Sequence, residues 1–310
     1  MMYLPRVKSL IKTIPGARKV YSLVQAIKHS ENPFMRYVPP GHYYSPIPNL
    51  DYVRKHCRDL FARDKTTCPG VRLNAETQIG VIRELSSYYN EMPFSEETQD
   101  GYRYYFNNSH FGHGSSIVLY SLMRHYRPHR IVEVGSGYSS AAMLDINERF
   151  FDNSIMFTFI EPYPKRLLSL LTENDKRQHT ICVDIAQHVP PTVYTELSNN
   201  DILFIDSSHV AKVGSDVVYL LTDILPLLQR GVIIHIHDIY WPFEYPEEWV
   251  FSGRAWNEAY VVKAFLQYNS CFEILVFNSY LAIHHHSLMK QCLPLFVPDA
   301  GGSLWIRKTS

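Results

Sequence analysis

From residue 130 onward, short apolar runs rich in β-branched residues alternate with segments of helical periodicity. This alternation limits the fold more than any other feature of the chain. The runs have the length of buried strands, and the segments between them are long enough for crossover helices. The predicted strands are Arg130–Val134, Met156–Ile160, Thr180–Val183, Asp201–Ile205, Gly231–Ile236, Phe272–Phe277 and Leu304–Arg307. Such a pattern predicts an α/β fold with a doubly wound, mostly parallel sheet and helices on both faces.

The chain has 310 residues, and its pattern changes near residue 128. We predict a Rossmann-like domain over residues 128–310 and an N-terminal, mainly helical and irregular extension over residues 1–127. Because related catalytic domains vary most in their substrate-binding parts, we expect the extension to contribute the substrate or lid region. The last two predicted strands follow each other with no obvious helix between them, so one of them should be antiparallel.

Two helices are expected within the N-terminal extension. The first spans residues 74–90, with Asn74 as its N-cap. The second is capped by Ser115 or Ser116 and runs through His125 to a stop at Pro128.

Charge and composition exclude several classes of protein. Lys+Arg and Asp+Glu are both 30, so the chain lacks the basic excess expected of a nucleic-acid-binding protein. The 46% of hydrophobic residues excludes a largely disordered chain. Five widely spaced cysteines with no C-x-x-C favour reduced thiols in a cytoplasmic protein over a disulfide framework or zinc site. No pattern indicates an oligomeric state.

No apolar run approaches the roughly 20 residues of a membrane span. Residues 1–30 are basic and have apolar side chains at helical spacing. Such a segment fits peripheral contact with an anionic membrane surface, and it fits equally an ordinary helix that packs on its own domain.

Acidic residues follow four of the predicted parallel strands, and a fifth acid, Glu133, lies inside the first strand. The four that follow their strands are Glu161, Asp184, Asp206 and Asp238. Since the carboxyl ends of parallel strands meet at one edge of a sheet, these side chains should line one ligand site.

The turn after the first strand indicates which ligand this site binds. It reads Glu133-Val-Gly135-Ser-Gly137-Tyr-Ser-Ser140, in which glycines permit a sharp turn and close approach of a ligand. A dinucleotide fingerprint would have a third glycine where Ser140 stands. The turn, together with Glu161, resembles that of the class I S-adenosylmethionine-dependent methyltransferases.

This resemblance covers roughly residues 128–310 and implies a set of S-adenosylmethionine contacts. The glycine turn would hold the methionine part, Glu161 the ribose hydroxyls, and Glu133 the amino end, directly or through water. Asp184 and Ile185 would flank the adenine. The full implied cofactor set is Glu133, Gly135, Ser136, Gly137, Ser139, Glu161, Asp184, Ile185 and Asp206.

A narrower resemblance lies in Ile205-Asp206-Ser-Ser-His209, which is similar to the metal-dependent sugar and small-molecule O-methyltransferases. It implies a divalent cation such as magnesium on Asp206 and Asp238, with Asp206 and His209 as catalytic residues and His209 as the base. His237 stands where that family has an acid, and imidazole suits manganese better than magnesium. Either a softer metal binds with His237 as a third ligand, or only two carboxylates remain.

The predicted function is therefore the S-adenosylmethionine-dependent methylation of a hydroxyl on a small molecule or sugar. Two alternatives stay open: an NAD(P)-dependent oxidoreductase, and a non-catalytic protein that retains the cofactor-binding fold. The aromatic segment from Tyr240 to Pro246 follows Asp238 directly, so it either closes over the site and stacks on the acceptor or packs in the core.

Overall fold

One mixed sheet organises the computed structural model, which describes Phe34 and residues 37–310. Its strands are β1 Arg130–Val134, β2 Met156–Ile160, β3 Thr180–Cys182, β4 Ile202–Ile205, β5 Ile233–His237, β6 Phe272–Phe277 and β7 Ser303–Lys308. They lie in the order β3-β2-β1-β4-β5-β7-β6. The first five are parallel, and β7 runs antiparallel to both β5 and β6. The predicted doubly wound, Rossmann-like sheet and its antiparallel strand are confirmed.

The central strands are buried along most of their length because both faces of the sheet are covered, and their side chains are mostly apolar. Every residue of β4 and β5 is buried. Strand order reverses between β1 and β4, since the chain proceeds outward from β1 to β3 in one direction and from β4 to β5 in the other. The carboxyl ends of β1 and β4 therefore border the crevice in which such sheets bind ligands.

The helices that precede β4 are α1 Leu50–Lys55, α2 Cys57–Leu60, α3 Ala75–Leu85, α4 His113–Tyr126, α5 Tyr138–Phe150, α6 Lys165–Leu170, α7 Glu173–Gln178 and α8 Thr192–Thr195. Those that follow it are α9 Asp216–Val218, α10 Glu247–Phe251, α11 Glu258–Leu266, α12 Asn278–His284 and α13 His286–Cys292. None of the helices in the described ranges is long and apolar enough to cross a membrane.

The structure corrects the start of the helix that was expected to begin at Ser115 or Ser116. Helix α4 begins at His113, with Gly112 as its N-cap, and both serines are buried inside its first turns. The Ser116 hydroxyl donates to the carbonyl of Gly112, while that of Ser115 contacts Ser303 Oγ of β7 at 3.0 Å. These serines are used in packing on the sheet rather than in capping.

The other expected helix of the extension is shorter than predicted. Helix α3 ends at Leu85 and continues as a 3-10 turn over Ser86–Glu91. Asn74 is its N-cap residue but has a left-handed backbone with φ 49° and makes no side-chain cap hydrogen bond.

The expectation that no helix separates the last two strands is wrong. Helices α12 and α13 lie between β6 and β7. Leu281 and Met289 are fully buried, so both helices pack into the core.

The chain divides into two compact units, Met1–Leu60 and Phe61–Ser310. The described part of the first contains α1 and α2, and the second contains the sheet with α3 and α4. The boundary between these compact units lies at residue 60, and the predicted domain boundary near residue 128 stays a prediction. The basic segment 1–30 lies outside the described residues.

Candidate active site

A cavity of about 550 Å³ opens at the carboxyl ends of β1, β2, β4 and β5. Three groups of residues line it: the glycine turn after β1, acids that follow the other strands, and a set of aromatic side chains. Residues 108–112 and Ser115 complete its border, so the segment before residue 128 contributes to the site.

The glycine turn lies against the end of β4. Gly135 has a φ of 81°, a backbone conformation that is unfavourable for residues other than glycine. A Cβ atom at this position would also overlap the carbonyl oxygen of Asp206. The Asp206 N–H donates to the carbonyl of Val134 at 2.8 Å, which joins the two strand ends. Only glycine fits this close approach.

Glu133 lies beneath the turn and not on the cavity lining. It is completely buried, and its two carboxylate oxygens accept hydrogen bonds from the hydroxyls of Ser139 and Ser140. Ser140 Oγ also accepts from the Gly137 N–H at 2.9 Å. These hydrogen bonds fix the turn, and the predicted contact of Glu133 with a ligand's amino end, directly or through water, stays a prediction. Burial raises the pKa of Glu133 to about 8, although the serine hydrogen bonds act in the opposite direction.

Glu161 is on the cavity lining, as its position after β2 predicts. One carboxylate oxygen accepts from the Ser136 N–H at 3.2 Å and the other from the Tyr163 N–H at 2.7 Å. Glu161, Ser136 and Arg166 also line a neighbouring cavity of about 630 Å³. The carboxylate therefore lies between the two openings, within reach of a ligand that spans them.

Asp184 and Ile185 are not part of either cavity lining. The Asp184 side chain is 54% exposed, and its carboxylate contacts His188 Nδ1 at 2.9 Å and accepts from the Ile185 N–H. The predicted adenine contact of these two residues stays a prediction.

The acids after β4 and β5 meet around one histidine. His209 Nε2 is 3.4 Å from Asp206 Oδ1 and 3.6 Å from Asp238 Oδ2. On its other side, His209 Nδ1 contacts Glu258 Oε2 at 2.8 Å. Glu258 is 1% exposed and stands at the first position of α11. This partner was missed because an acid at a helix N-terminus, 49 residues from its histidine, has no distinctive local signal.

Charge in this cluster favours a protonated imidazole. Burial opposes a charge on His209, but hydrogen bonds and charges from Asp206 and Glu258 raise its pKa well above 6.5. Desolvation would raise the pKa of Asp206, yet His237 and His209 hold it below its usual value. Burial raises the pKa of Asp238, although the charges of His237 and His209 act to lower it. His209 is consequently most basic when all three carboxylates are ionised.

His237 and Asp238 both face the cavity, although strand alternation predicts opposite faces for neighbouring residues. The strand ends at His237, and a left-handed backbone at Asp238 with φ 56° turns its side chain back. His237 is 6% exposed, and its Nδ1 has no hydrogen-bond partner among the described residues.

The donor set does not form a metal site. In the part of the chain that the structure describes, no three His, Cys, Asp or Glu side chains come together as a metal ion requires. His209 Nε2 approaches both Asp206 and Asp238, and its imidazolium faces the two carboxylates for which the metal was predicted. The predicted metal set of Asp206, Asp238 and His237 is therefore not supported by the arrangement.

Of the aromatic segment after Asp238, only Tyr240 lines the cavity. Trp241, Phe243 and Tyr245 are buried in the core, so core packing is the correct interpretation for them. Other aromatic residues of the lining are Phe111, Tyr138, Trp249 and Trp256, of which the two tryptophans meet edge to face at 5.4 Å.

Part of the chain is similar to known proteins. The profile of a family described as "Methyltransferase domain" matches residues 132–239. A protein of Archaeoglobus fulgidus, described as uncharacterized, is 38% identical over 133 residues, which are 42% of this chain. The chain spans 60% of the length of that relative.

Solved structures were compared as well. The methyltransferase PaMTH1 of Podospora anserina with bound S-adenosylhomocysteine is 17% identical, with 84% of this chain and 96% of that chain covered and a TM-score of 0.42. The O-methyltransferase TomG of Streptomyces achromogenes, involved in tomaymycin synthesis and solved with S-adenosylmethionine, is 14% identical, with the same coverage and a TM-score of 0.43. CmcI with magnesium and S-adenosylmethionine is 16% identical, with 72% and 84% covered and a TM-score of 0.41.

Proposed function

We propose that the chain is a class I S-adenosylmethionine-dependent methyltransferase that transfers a methyl group to a hydroxyl oxygen of a small molecule or sugar, and the match of residues 132–239 to a methyltransferase domain supports this. One observation carries the proposal. The glycine turn, Glu161 and the cluster of Asp206, His209 and Asp238 all border the same cavity. A donor held by the first two would present its methyl group to an acceptor held beside the third.

The residues present fit S-adenosylmethionine. Gly135 and Gly137 leave the turn without side chains, and Ser136 Oγ is a buried polar atom with no partner among the described residues. Glu161 can accept the ribose hydroxyls while it retains its backbone hydrogen bonds. Bound S-adenosylmethionine supplies an electrophilic methyl group on its sulfonium sulfur.

The chain's own contribution is to position the acceptor oxygen and remove its proton. His209 Nε2, when neutral, accepts the hydroxyl proton as the oxygen bonds to the methyl carbon, while Glu258 holds the ring through Nδ1. Asp206 and Asp238 stabilise the resulting imidazolium. Confining both reactants in one cavity is expected to provide a large part of the acceleration. No step depends on a metal, and no observation on the described residues favours the oxidoreductase or non-catalytic alternatives.

Part of the segment before residue 128 borders the cavity, which supports a role for this segment in acceptor binding. Asn108, His110 and Phe111 border the cavity, and His110 stacks on Tyr138 at 5.8 Å. We propose that residues 108–112 form part of the acceptor wall.

Two measurements test the function. Calorimetry should detect binding of S-adenosylmethionine and S-adenosylhomocysteine to the full chain. With an acceptor found by screening for S-adenosylhomocysteine release, His209→Ala and Asp206→Ala should lower turnover by about 10²–10⁴-fold with little change in donor affinity.

His125→Ala serves as the matched control, because His125 lies on α4 and is not on the cavity lining. Its turnover should equal that of the unmodified chain. Absence of any heat with both donor forms would overturn the proposal, and so would full turnover by both site variants.

A further inference from the structure

One arginine of the cavity, Arg254, lies on aromatic rings and forms no ion pair among the described residues, although its charge acts to lower the pKa of Asp238. The Arg254 Cζ lies 4.5 Å from the centre of the Trp249 ring and 5.3 Å from that of Trp256. All three residues line the cavity. Rings at these distances attract the guanidinium through its charge, even at an exposed position such as this one.

The Arg254 guanidinium keeps its hydrogen-bond donors available. Among the described residues it forms no ion pair and no side-chain hydrogen bond, whereas Arg103 of the same unit is bound by Asp145, Glu148 and Asp175. A guanidinium carries five N–H donors in a planar fork that matches carboxylate or phosphate oxygens. Arg254 is thus an exposed cation with unused donors on the border of the cavity.

Arg254 belongs to the acceptor side of this cavity. The other arginine of the lining, Arg166, lies against the glycine turn, with its Cδ 3.3 Å from where a Cβ of Gly137 would stand. The ring of Trp256, by contrast, lies 4.4 Å from that of His209. The Trp256 ring lies between the two residues, 4.4 Å from the His209 ring and 5.3 Å from Arg254 Cζ. Arg254 Cζ is therefore within about 10 Å of the His209 ring, a distance that one small molecule can span.

We propose, on the basis of the function proposed above, that the methyl acceptor carries an oxyanionic group, a carboxylate or a phosphate, in addition to its hydroxyl. Arg254 binds this oxyanion, Trp249 and Trp256 contact the body of the molecule, and the hydroxyl faces His209. The ionised acids of the cluster, Asp206 and Asp238, would repel an anion placed next to them, so the charge must lie at the far end from the methylated oxygen.

The test uses matched probes that differ only in charge. Binding to the full chain saturated with S-adenosylhomocysteine is measured by calorimetry for methyl glucuronide against methyl glucoside, and for dihydroxybenzoate against catechol. A hexose phosphate forms a third arm, which distinguishes phosphate from carboxylate. At least one anionic probe should bind about tenfold or more tightly than its neutral counterpart, since hydrogen bonds to charged groups are worth that much.

Substitutions locate the effect. Arg254→Met should abolish the preference for the anionic probe and leave S-adenosylhomocysteine affinity unchanged. Arg149→Met is the matched control, because Arg149 also lies on an aromatic ring, that of Tyr102 at 3.6 Å, but not on the cavity lining. It should retain the full preference.

The inference is overturned if no anionic probe exceeds its neutral counterpart, or if Arg254→Met retains the preference. These outcomes are distinguishable from failure of the methyltransferase assignment. That assignment fails when the chain binds neither donor form, whereas the acceptor inference fails while donor binding persists.

Discussion

The two sides of the cavity are built in different ways. On the cofactor side, Glu133 holds Ser139 and Ser140, which lie six and seven residues away along one strand–turn–helix segment. On the acceptor side, His209 meets Glu258 across 49 residues. A site made from one short segment has a sequence motif, whereas a site assembled from distant segments has none. The comparison explains why the donor could be predicted from the sequence and the acceptor could not.

The largest effect is expected from Gly135→Ala, which tests whether local backbone geometry sets the cofactor side. The added methyl meets the Asp206 carbonyl at a positive φ, so the unfolding free energy should fall by at least about 2 kcal/mol and donor affinity by about a hundredfold. Denaturant unfolding and calorimetry measure both.

Gly80→Ala in α3 is the control for that substitution. A Cβ at Gly80 meets no atom within 4 Å, and alanine favours helix, so stability should stay equal or rise by up to about 1 kcal/mol. Equal stability losses in both variants would show that the turn is not the special position we describe.

Glu258→Gln tests the long-range partnership on the acceptor side. A neutral amide removes the charge that raises the pKa of His209, so the acidic limb of the turnover profile, expected above pH 6.5 in the unmodified chain, should move to lower pH. Plateau turnover should also fall by about tenfold or more, because the histidine loses the partner that orients it.

Glu247→Gln provides the comparison for this variant, since Glu247 is an exposed acid of α10. Its pH profile should superimpose on that of the unmodified chain. An unshifted limb in Glu258→Gln would mean that Glu258 does not control His209.

Glu161→Gln and Asp184→Asn test which of the two acids contributes to donor binding. Glu161 lines both cavities, so loss of its charge should weaken donor binding by about tenfold. Asp184 is bound by His188 away from both linings, and its substitution should cost less than about threefold. Calorimetry measures the affinity of both variants for S-adenosylhomocysteine. A larger loss of affinity in Asp184→Asn would indicate that the adenine binds beside the end of β3, as the sequence predicts.

The last prediction concerns the pH dependence of stability, which the buried carboxyl beneath the turn controls. Because the pKa of Glu133 is about 8 in the folded chain against 4.5 as its ordinary value, the folded state binds the proton more tightly, and Glu133 lowers stability as pH rises from 4.5 toward 8. Glu133→Gln removes this titration.

Denaturant unfolding at pH 5.5 and 7.5 checks the expectation. Over that interval the donor-free unmodified chain should lose about 2.5 kcal/mol more than Glu133→Gln. Parallel behaviour of the two would place an ionised carboxylate under the turn.

Strand positions were predictable because each buried strand is mostly apolar. β1, β2 and β6 match their predicted bounds, and β7 differs by one residue at each end. The segment after Ser215, by contrast, is not one continuous α-helix, because a π-helical turn over Tyr219–Ile224 and a 3-10 turn over Leu225–Leu227 follow α9. Pro226, in that 3-10 turn, has no N–H to donate to a continuing helix.

The sequence by itself determined the parallel sheet, the glycine turn and the acids at the strand ends, because each depends on residues close together in the chain. Tertiary structure decided that Glu133 is buried beneath the turn, that Asp238 turns back toward His209, and that Glu258 and Arg254 join the site. Those outcomes depend on packing and on the conformation of single residues at strand ends, which apolar periodicity does not encode.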